Sequence, residues 1–131
     1  MRILRLAERD SEPSDPNTFT GHACLTRMTG LSDDPKLNAY RVEFELRART
    51  AWHTHSGPQL LVVISGRCRL QRDGEPIAEI IPGDVACIAP GERHWHGAGP
   101  DAPMIHLAIN IDSATTWLEK VTDAEYSGRL R

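Results

Sequence analysis

Three histidines and a glutamine in two short segments could bind a metal ion. Residues 52–59 read Trp-His-Thr-His-Ser-Gly-Pro-Gln, and residues 90–96 read Pro-Gly-Glu-Arg-His-Trp-His. Because alternate side chains of a β-strand face the same side, His53 and His55 would lie about 7 Å apart on one face and reach one ion. Gln59, beyond the Ser-Gly-Pro bend, and His94, from a distant strand, are the other predicted ligands.

This ligand set would leave a divalent ion poorly neutralised. Three neutral imidazoles and an amide carry no charge, so the ion should be a strong Lewis acid. Nitrogen and oxygen donors suit Mn, Fe, Zn, Ni or Co. Because imidazole binds metal only when neutral, affinity is predicted to fall below about pH 6.5.

Two more histidines and an asparagine are predicted to face the same interior. His96 shares a face with His94, and His106 shares a face with Asn110 on the last long strand. A histidine can take a proton from a substrate or return it, and Asn110 could hold the substrate oxygen or the leaving group. The alternative is that these histidines are hydrogen-bonded core residues. For His22 an ordinary strand or loop position is favoured over the cavity.

Other reactive or large side chains are predicted to serve packing. Trp52 and Trp95 alternate with the candidate ligands, so they should face away from them. Cys24, Cys68 and Cys87 are odd in number and lack a C-x-x-C spacing, which argues against a disulfide frame or a zinc knuckle. We predict reduced thiols, mostly in the core.

Composition excludes several classes of function. With 131 residues, 40% hydrophobic and 25% charged, the chain is expected to form one globular domain with one core. A net charge of -3 gives no basic surface for a phosphate backbone, so no nucleic acid partner is expected. The N-terminal residues resemble no signal peptide, and the apolar runs are too short for a membrane span, which predicts a cytoplasmic protein.

The apolar periodicity predicts many short antiparallel strands. In residues 38–47, Tyr40, Val42, Phe44 and Leu46 should share the buried face. Asp73-Gly74 predicts a hairpin turn. Such strands at close spacing are typical of a sandwich or barrel. The predicted elements are a loop over 8–18, strands over 19–28, 38–47, 60–64, 67–72, 75–80, 84–88, 93–97 and 104–111, a helix from Ser113 through Val121, and a last turn capped by Thr122 and Glu125.

The two histidine segments resemble the two motifs of the cupins. Motif one, G-x5-H-x-H-x3,4-E-x6-G, matches His53, His55 and Gly66, with Gln59 at the glutamate position. Motif two, G-x5-P-x-G-x2-H-x3-N, matches at Gly83, Pro90-Gly91 and His94, whereas Ala89 replaces its first proline and Ala98 lies near its asparagine. The resemblance implies an all-β, cupin-type antiparallel β-barrel, a small jelly roll, with a short C-terminal helix. It also implies a homodimer or homotetramer.

Residues 1–18 are then an N-terminal segment and loop, and residues 19–131 the cupin domain. From Phe19 onward the chain is similar to small bacterial manganese cupins that act as hydroxynitrile lyases. The segments that carry this likeness are 49–55, 91–98, 106–109 and 121–126.

That likeness implies a lyase that cleaves a cyanohydrin to an aldehyde and cyanide. Carried over residue by residue, it implies one Mn ion on His53, His55, Gln59 and His94, His106 as the base, and a substrate pocket that includes Tyr40 and Val42. In the mechanism that we expect from these parts, protonated His96 or a neighbouring group stabilises the departing anion. Two residues depart from the pattern, because Tyr40 is larger and Asn110 shorter than such lyases carry.

The same parts could serve other chemistry. Any small hydroxy or carbonyl compound that chelates the ion could be the substrate. Four protein ligands in an octahedral shell would leave two coordination positions open, which an Fe-dependent dioxygenase could use for oxygen. A non-catalytic cupin would bind a small molecule without turnover.

Overall fold

The chain folds into two antiparallel β-sheets with one short C-terminal helix. The computed structural model describes residues 1–129, except for the side chains of residues 29–31. Its elements are a 3-10 helix at Leu6–Glu8, strands β1 Ser11–Pro13, β2 Phe19–Thr20, β3 Ala23–Asp33, β4 Lys36–Phe44, β5 Arg49–Thr50, β6 His53–His55, β7 Gln59–Ser65, β8 Cys68–Arg72, β9 Ala78–Ile80, β10 Val85–Ile88, β11 His94–Ala98, β12 Met104–Ile111 and β13 Thr115–Trp117, and helix α1 Asp123–Tyr126.

The two sheets pack face to face as a jelly roll. One has the strand order β1-β3-β4-β12-β7-β10; in the other, β11 lies between β8 on one side and β5 and β6 on the other. Inward residues such as Val42, Phe44 and Met104 of the first sheet meet Phe19 and Ala98 of the second in one buried cluster. The predicted antiparallel jelly roll is therefore confirmed.

Several strands have the predicted bounds because local signals and long-range pairing agree. Strand β12 spans the predicted residues 104–111, and the turn at Asp73-Gly74 joins β8 to β9. Gly66 ends β7 with a φ of 76°, and a Cβ there would lie 2.2 Å from the Pro103 carbonyl oxygen. That close approach explains the glycine at the end of motif one.

Several predicted segments differ from the structure; the strand predicted over 75–80, for example, covers only Ala78–Ile80. The strand over 19–28 is split at Gly21, where φ is 76°. The strand over 38–47 ends at Phe44, so Leu46 is 49% exposed rather than buried, and Arg47 adopts a positive φ. The loop over 8–18 contains β1, which pairs with β3. In each case pairing with a distant strand or a turn overrides the local pattern.

The predicted helix over residues 113–121 is wrong. Thr115–Trp117 forms strand β13 and pairs with β6, so that Thr115 lies opposite His55 and Trp117 lies opposite His53. Threonine and tryptophan favour strands, and β6 offers an unpaired edge. This strand therefore lies directly beside two candidate ligands.

The C-terminal helix begins at the predicted capping box. The Thr122 side chain accepts from the Glu125 backbone N–H, and the Glu125 side chain accepts from the Thr122 backbone N–H. Tyr126 is buried in a second apolar cluster with Trp52, Trp95 and Val121. Both tryptophans thus pack away from the candidate site, as predicted.

The cysteines follow the prediction only in part. All three are free thiols, but Cys68 alone is buried, whereas Cys24 is half-buried and Cys87 is exposed.

Among residues 1–129 no helix is long and apolar enough to cross a membrane. The division into a segment over 1–18 and a domain over 19–131 stays a prediction. Residues 130 and 131 of that predicted domain lie outside the described residues.

Candidate metal centre

Three histidine rings converge where β6 pairs with β11. His53 lies opposite His94 in the register, and their ring centroids are 4.2 Å apart. The His55 ring lies 4.9 Å from His53 and 5.2 Å from His94. All three side chains are buried. The structure therefore brings together the three predicted histidine ligands.

Hydrogen bonds on the outer side of these rings set their orientation. His53 Nδ1 lies 2.8 Å from the Ala51 carbonyl oxygen, and His94 Nδ1 lies 2.8 Å from that of Glu92. Because a carbonyl only accepts, both Nδ1 atoms carry the proton and both Nε2 atoms keep a lone pair. His94 Nε2 is buried without a partner. A neutral imidazole held in this way is prepared for metal ligation.

Gln59 supplies an oxygen of the same kind. Its Nε2 donates to Asn110 Oδ1 over 2.8 Å, and its Oε1 is buried without a hydrogen-bond partner. His55 Nε2 is also buried and unpartnered, while His55 Nδ1 bonds Thr115 Oγ1 over 2.9 Å. Leaving buried polar atoms unpaired costs free energy, so these unpaired atoms fit a bound cation.

His96 lies close enough to His53 and His94 to be an alternative metal ligand. Donor atoms of His53, His94 and His96 lie within 4.8 Å of one another, and these three form a group that could bind a metal. His55 is outside this tighter group. The two sets share His53 and His94. We favour His55 because its set also provides the unpaired Gln59 oxygen, whereas His96 bonds another imidazole.

That second imidazole is His106. His106 Nε2 lies 3.0 Å from His96 Nδ1, and both side chains are buried. The Phe44 ring makes an edge contact with His106, at 5.1 Å between centroids. His96 Nε2 and His106 Nδ1 have no hydrogen-bond partner. The pair can therefore accept one proton and share it across the bond between the rings.

Burial keeps all five histidines neutral near neutral pH. Burial and the neighbouring His94 lower the pKa of His55 to about 4, against a smaller opposing effect of the Gln59 side chain. Burial lowers the pKa of His106 to about 4. The pKa values of His53, His94 and His96 are also lowered, chiefly by burial. Protons should therefore compete with metal at a lower pH than the 6.5 expected from sequence.

His53 and His55 line a cavity of about 340 Å³. His94 does not line this cavity; it lines a second one together with Gln71 and Trp95. Tyr40 and Val42 line the first cavity, as predicted. The polar lining comes from His53, His55, Gln59, His96, His106, Asn110, Thr50 and Thr115, and the apolar lining from Phe19, Leu25, Tyr40, Val42, Phe44, Ala108 and Trp117. The volume and the mixed lining suit a small molecule with an apolar part and a polar group.

Sequence reasoning did not assign seven of the lining residues to the cavity and correctly favoured an ordinary position for His22. The seven are Phe19, Leu25, Phe44, Thr50, Ala108, Thr115 and Trp117. For Thr115 and Trp117, the signal that could have found them is the β-branched and aromatic run at 115–117, which favours a strand. His22 is exposed and lies near Cys24, with 3.8 Å between Nε2 and Sγ. It does not line the cavity.

Comparison with known proteins decides the family. The sequence model of the cupin domain family matches residues 40–110, which include both histidine segments. The chain belongs to the cupin family. An (R)-mandelonitrile lyase from Granulicella tundricola is 42% identical over an alignment of 129 residues, which covers 96% of this cupin and 98% of that relative.

Solved structures of other proteins share the fold. A cupin-like protein from Thermotoga maritima superposes with a TM-score of 0.85 at 34% identity, covering 93% of this cupin and 94% of that chain. A polyketide cyclase from Streptomyces resistomycificus superposes with a TM-score of 0.75 at 18% identity, covering 97% and 91%. The second likeness concerns the fold alone.

Proposed function

We propose that this cupin is a metal-dependent lyase that cleaves a C–C bond of a small cyanohydrin. One observation carries the proposal: four buried nitrogen and oxygen atoms without hydrogen-bond partners belong to residues that line a cavity with apolar walls. These atoms are His55 Nε2, Gln59 Oε1, His96 Nε2 and His106 Nδ1. The 42% identical relative, named for mandelonitrile cleavage, supports the choice of reaction. Neither the fold nor the cavity alone would select it.

We assign His53, His55 and His94 through Nε2, and Gln59 through Oε1, as ligands of one divalent ion. Manganese is the proposed metal, because the nitrogen and oxygen donors accept it and because of the resemblance to manganese lyases. When bound, this ion would supply Lewis acidity to a substrate hydroxyl. The uncharged ligands would leave its charge largely uncompensated.

The apolar wall would hold the remainder of the substrate. Val42, Phe44 and Ala108 offer an apolar surface, and Trp117 with Phe19 adds aromatic rings. A substrate seated there would displace water from the histidines. Exclusion of water strengthens electrostatic interactions and protects the reacting groups from competing proton exchange.

His106 and His96 would move the proton. The O–H bond of the cyanohydrin breaks and the proton passes to the neutral His106–His96 pair. As the C–C bond breaks, its electron pair leaves with cyanide and the hydroxyl carbon becomes a carbonyl carbon. The pair then returns the proton to cyanide, giving hydrogen cyanide and an aldehyde. Because burial lowers the pKa of His106 to about 4, the pair is in its basic form at neutral pH and releases the proton readily.

Tyr40 and Asn110 would set the substrate preference. The Tyr40 side chain takes up space at the apolar side of the cavity. The Arg27 guanidinium lies over the Tyr40 ring, 5.9 Å from its centroid. Asn110 Oδ1 is occupied by Gln59, so Asn110 Nδ2 is the atom left for a substrate oxygen or the nitrile. We propose that these residues select among small hydroxy compounds rather than abolish the reaction.

Cleavage of mandelonitrile by manganese-loaded protein tests the proposal. Aldehyde release should require metal, stop with a chelator and return when manganese is added. Full metal occupancy without cleavage would refute the lyase assignment. Oxygen consumption with iron would then support a dioxygenase, and ligand binding without turnover would support a binding cupin.

We also propose that the chain self-associates through the outer face of its six-stranded sheet. Alternation places Leu60, Val62 and Ile64 of β7 outward, next to Leu107 and Ile109 of β12. Ile64 is 43% exposed. A sheet that is apolar on both faces is normally covered, and homodimer interfaces are rich in apolar residues. A homodimer or homotetramer would cover this outer face.

A cytoplasmic location for the protein stays a prediction.

A further inference from the structure

Strand β13 supports two candidate ligands from the solvent side. Thr115 and Trp117 lie on the strand's cavity face, opposite His55 and His53 of β6. Both residues are exposed on their other side. Neither is among the proposed ligands or the proton-transfer pair. Their placement raises the question of what they do for the histidines beside them.

The three proposed histidine ligands differ in how their Nδ1 atoms are held. Main-chain carbonyls hold His53 and His94, so these contacts follow from the backbone alone. His55 is held by a side chain, the Thr115 hydroxyl, over 2.9 Å. A hydroxyl can donate or accept, whereas ligation through His55 Nε2 requires the proton on Nδ1. Thr115 Oγ1 must then be the acceptor.

We propose that Thr115 is a positioning residue for metal binding. Its hydroxyl holds the His55 ring with the proton on Nδ1 and with Nε2 free to bind the ion. Trp117 completes this support, because its ring lies 4.7 Å from the His53 ring and 6.1 Å from the Phe19 ring. This inference rests on the proposed function, since it assumes that His55 binds the metal.

The alternative is that Thr115 merely favours a strand. Valine tests this alternative, because it matches threonine in shape and strand preference and lacks only the hydroxyl. Thr116 provides a matched control on the same strand. It lies opposite Thr54, and its side chain faces away from the cavity lined by its two neighbours. Replacing Thr116 with valine therefore changes the strand equally without touching His55.

The experiment is a calorimetric titration of the full, chelator-stripped chain with Mn²⁺, which measures the affinity for the metal. Thr115→Val and Thr115→Ala should each bind about 10-fold more weakly, within the range typical for loss of an outer partner. Thr115→Ser and Thr116→Val should stay within about twofold of the parent. Long-range ¹H–¹⁵N spectra of the metal-free protein should place the His55 proton on Nδ1 in the parent and Thr115→Ser, and on both nitrogens in Thr115→Val.

Two results would overturn the inference in different ways. If the parent binds one Mn²⁺ per chain and both hydroxyl-lacking variants bind it equally well, Thr115 does not position His55, while the proposed metal site stands. If the parent itself does not bind Mn²⁺, the proposed site fails and this inference fails with it. Thermal unfolding of each variant identifies a folding defect, and Thr115→Ala then decides the matter if Thr115→Val is misfolded.

Discussion

Gln59 and Asn110 lie opposite each other on β7 and β12, and the Gln59 amide nitrogen donates to Asn110 Oδ1 over 2.8 Å. An amide can present either its oxygen or its nitrogen. The Asn110 acceptor selects the orientation in which the nitrogen is used and Oε1 is left for a cation. A short side chain on β12 thus determines which atom of Gln59 can act as a ligand.

Removing that acceptor should weaken metal binding. In Asn110→Leu the Gln59 amide is no longer held, and Mn²⁺ affinity should fall about 10-fold. Asn110→Asp keeps an acceptor for Gln59 and adds a negative charge, so its affinity should equal or exceed that of the parent. Calorimetric titration compares the three proteins. Equal affinity of Asn110→Leu and the parent would show that Gln59 does not depend on Asn110.

His53→Ala should lose the metal while the sheets remain. The His53 ring bonds one backbone carbonyl and otherwise contacts the other rings of the site, so its loss removes a ligand rather than a structural support. Metal content after loading and the circular dichroism spectrum provide the two measurements. A globally unfolded His53→Ala variant would show that the ring is needed for folding.

His106→Ala should bind the metal normally but cleave the substrate much more slowly. The nearest hydrogen-bonding partner of His106 is His96, and its ring contacts Phe44 rather than the three proposed ligands. Loss of a positioned base typically lowers the rate by a factor of about 100 to 10,000. Single-turnover cleavage at measured metal occupancy checks this. Loss of metal from His106→Ala would instead mean that His106 is a ligand.

Acid should destabilise the metal-free protein between about pH 6.5 and pH 4. The pKa of His106 is lowered to about 4 in the folded chain, whereas an unfolded histidine has a pKa of about 6.5. The unfolded chain therefore binds more protons in this window, and the free energy of unfolding falls as the pH falls. One fully buried histidine gives a slope of at most about 1.4 kcal/mol per pH unit.

Urea unfolding of chelator-treated protein across that window measures the slope. His106→Asn should show a shallower dependence, because it lacks one of the buried groups that titrates. A free energy of unfolding that stays constant from neutral pH to about pH 4 would contradict the lowered pKa values.

A charge on the outer face of the six-stranded sheet should disrupt self-association. Leu107 lies near the middle of this face, between strands β4 and β7. Leu107→Asp should shift the molar mass measured by light scattering from an oligomer to the monomer, because a buried carboxylate without a partner is costly. Lys120→Asp, a change of charge at an exposed position outside the six-stranded sheet, is the control. A parent protein that is already a monomer would refute the proposal.

The sequence predicted that His53, His55 and His94 converge, because this convergence depends on strand alternation. Two histidines two residues apart must share a face once β6 forms, and the turn before β11 brings His94 to the same place. The family motifs added Gln59. Each of these inferences needs only local geometry and the pairing of neighbouring strands.

The sequence did not predict the support around the cluster. The run 113–121 has no strict alternation, so its strand depends on an available edge of β6 rather than on its own pattern. Leu46 continues an alternation that ends because Arg47 turns the chain with a positive φ. The bond between His96 and His106 joins different sheets, and residue spacing contains no information about such a contact.

The most direct test adds Mn²⁺ stepwise to metal-free protein and measures bound metal and mandelonitrile cleavage in the same sample. We predict that the rate rises in proportion to bound Mn²⁺ and stops rising at one ion per chain. A fully loaded protein that releases no aldehyde, or a rate that does not depend on Mn²⁺, would contradict the proposed metal-dependent lyase.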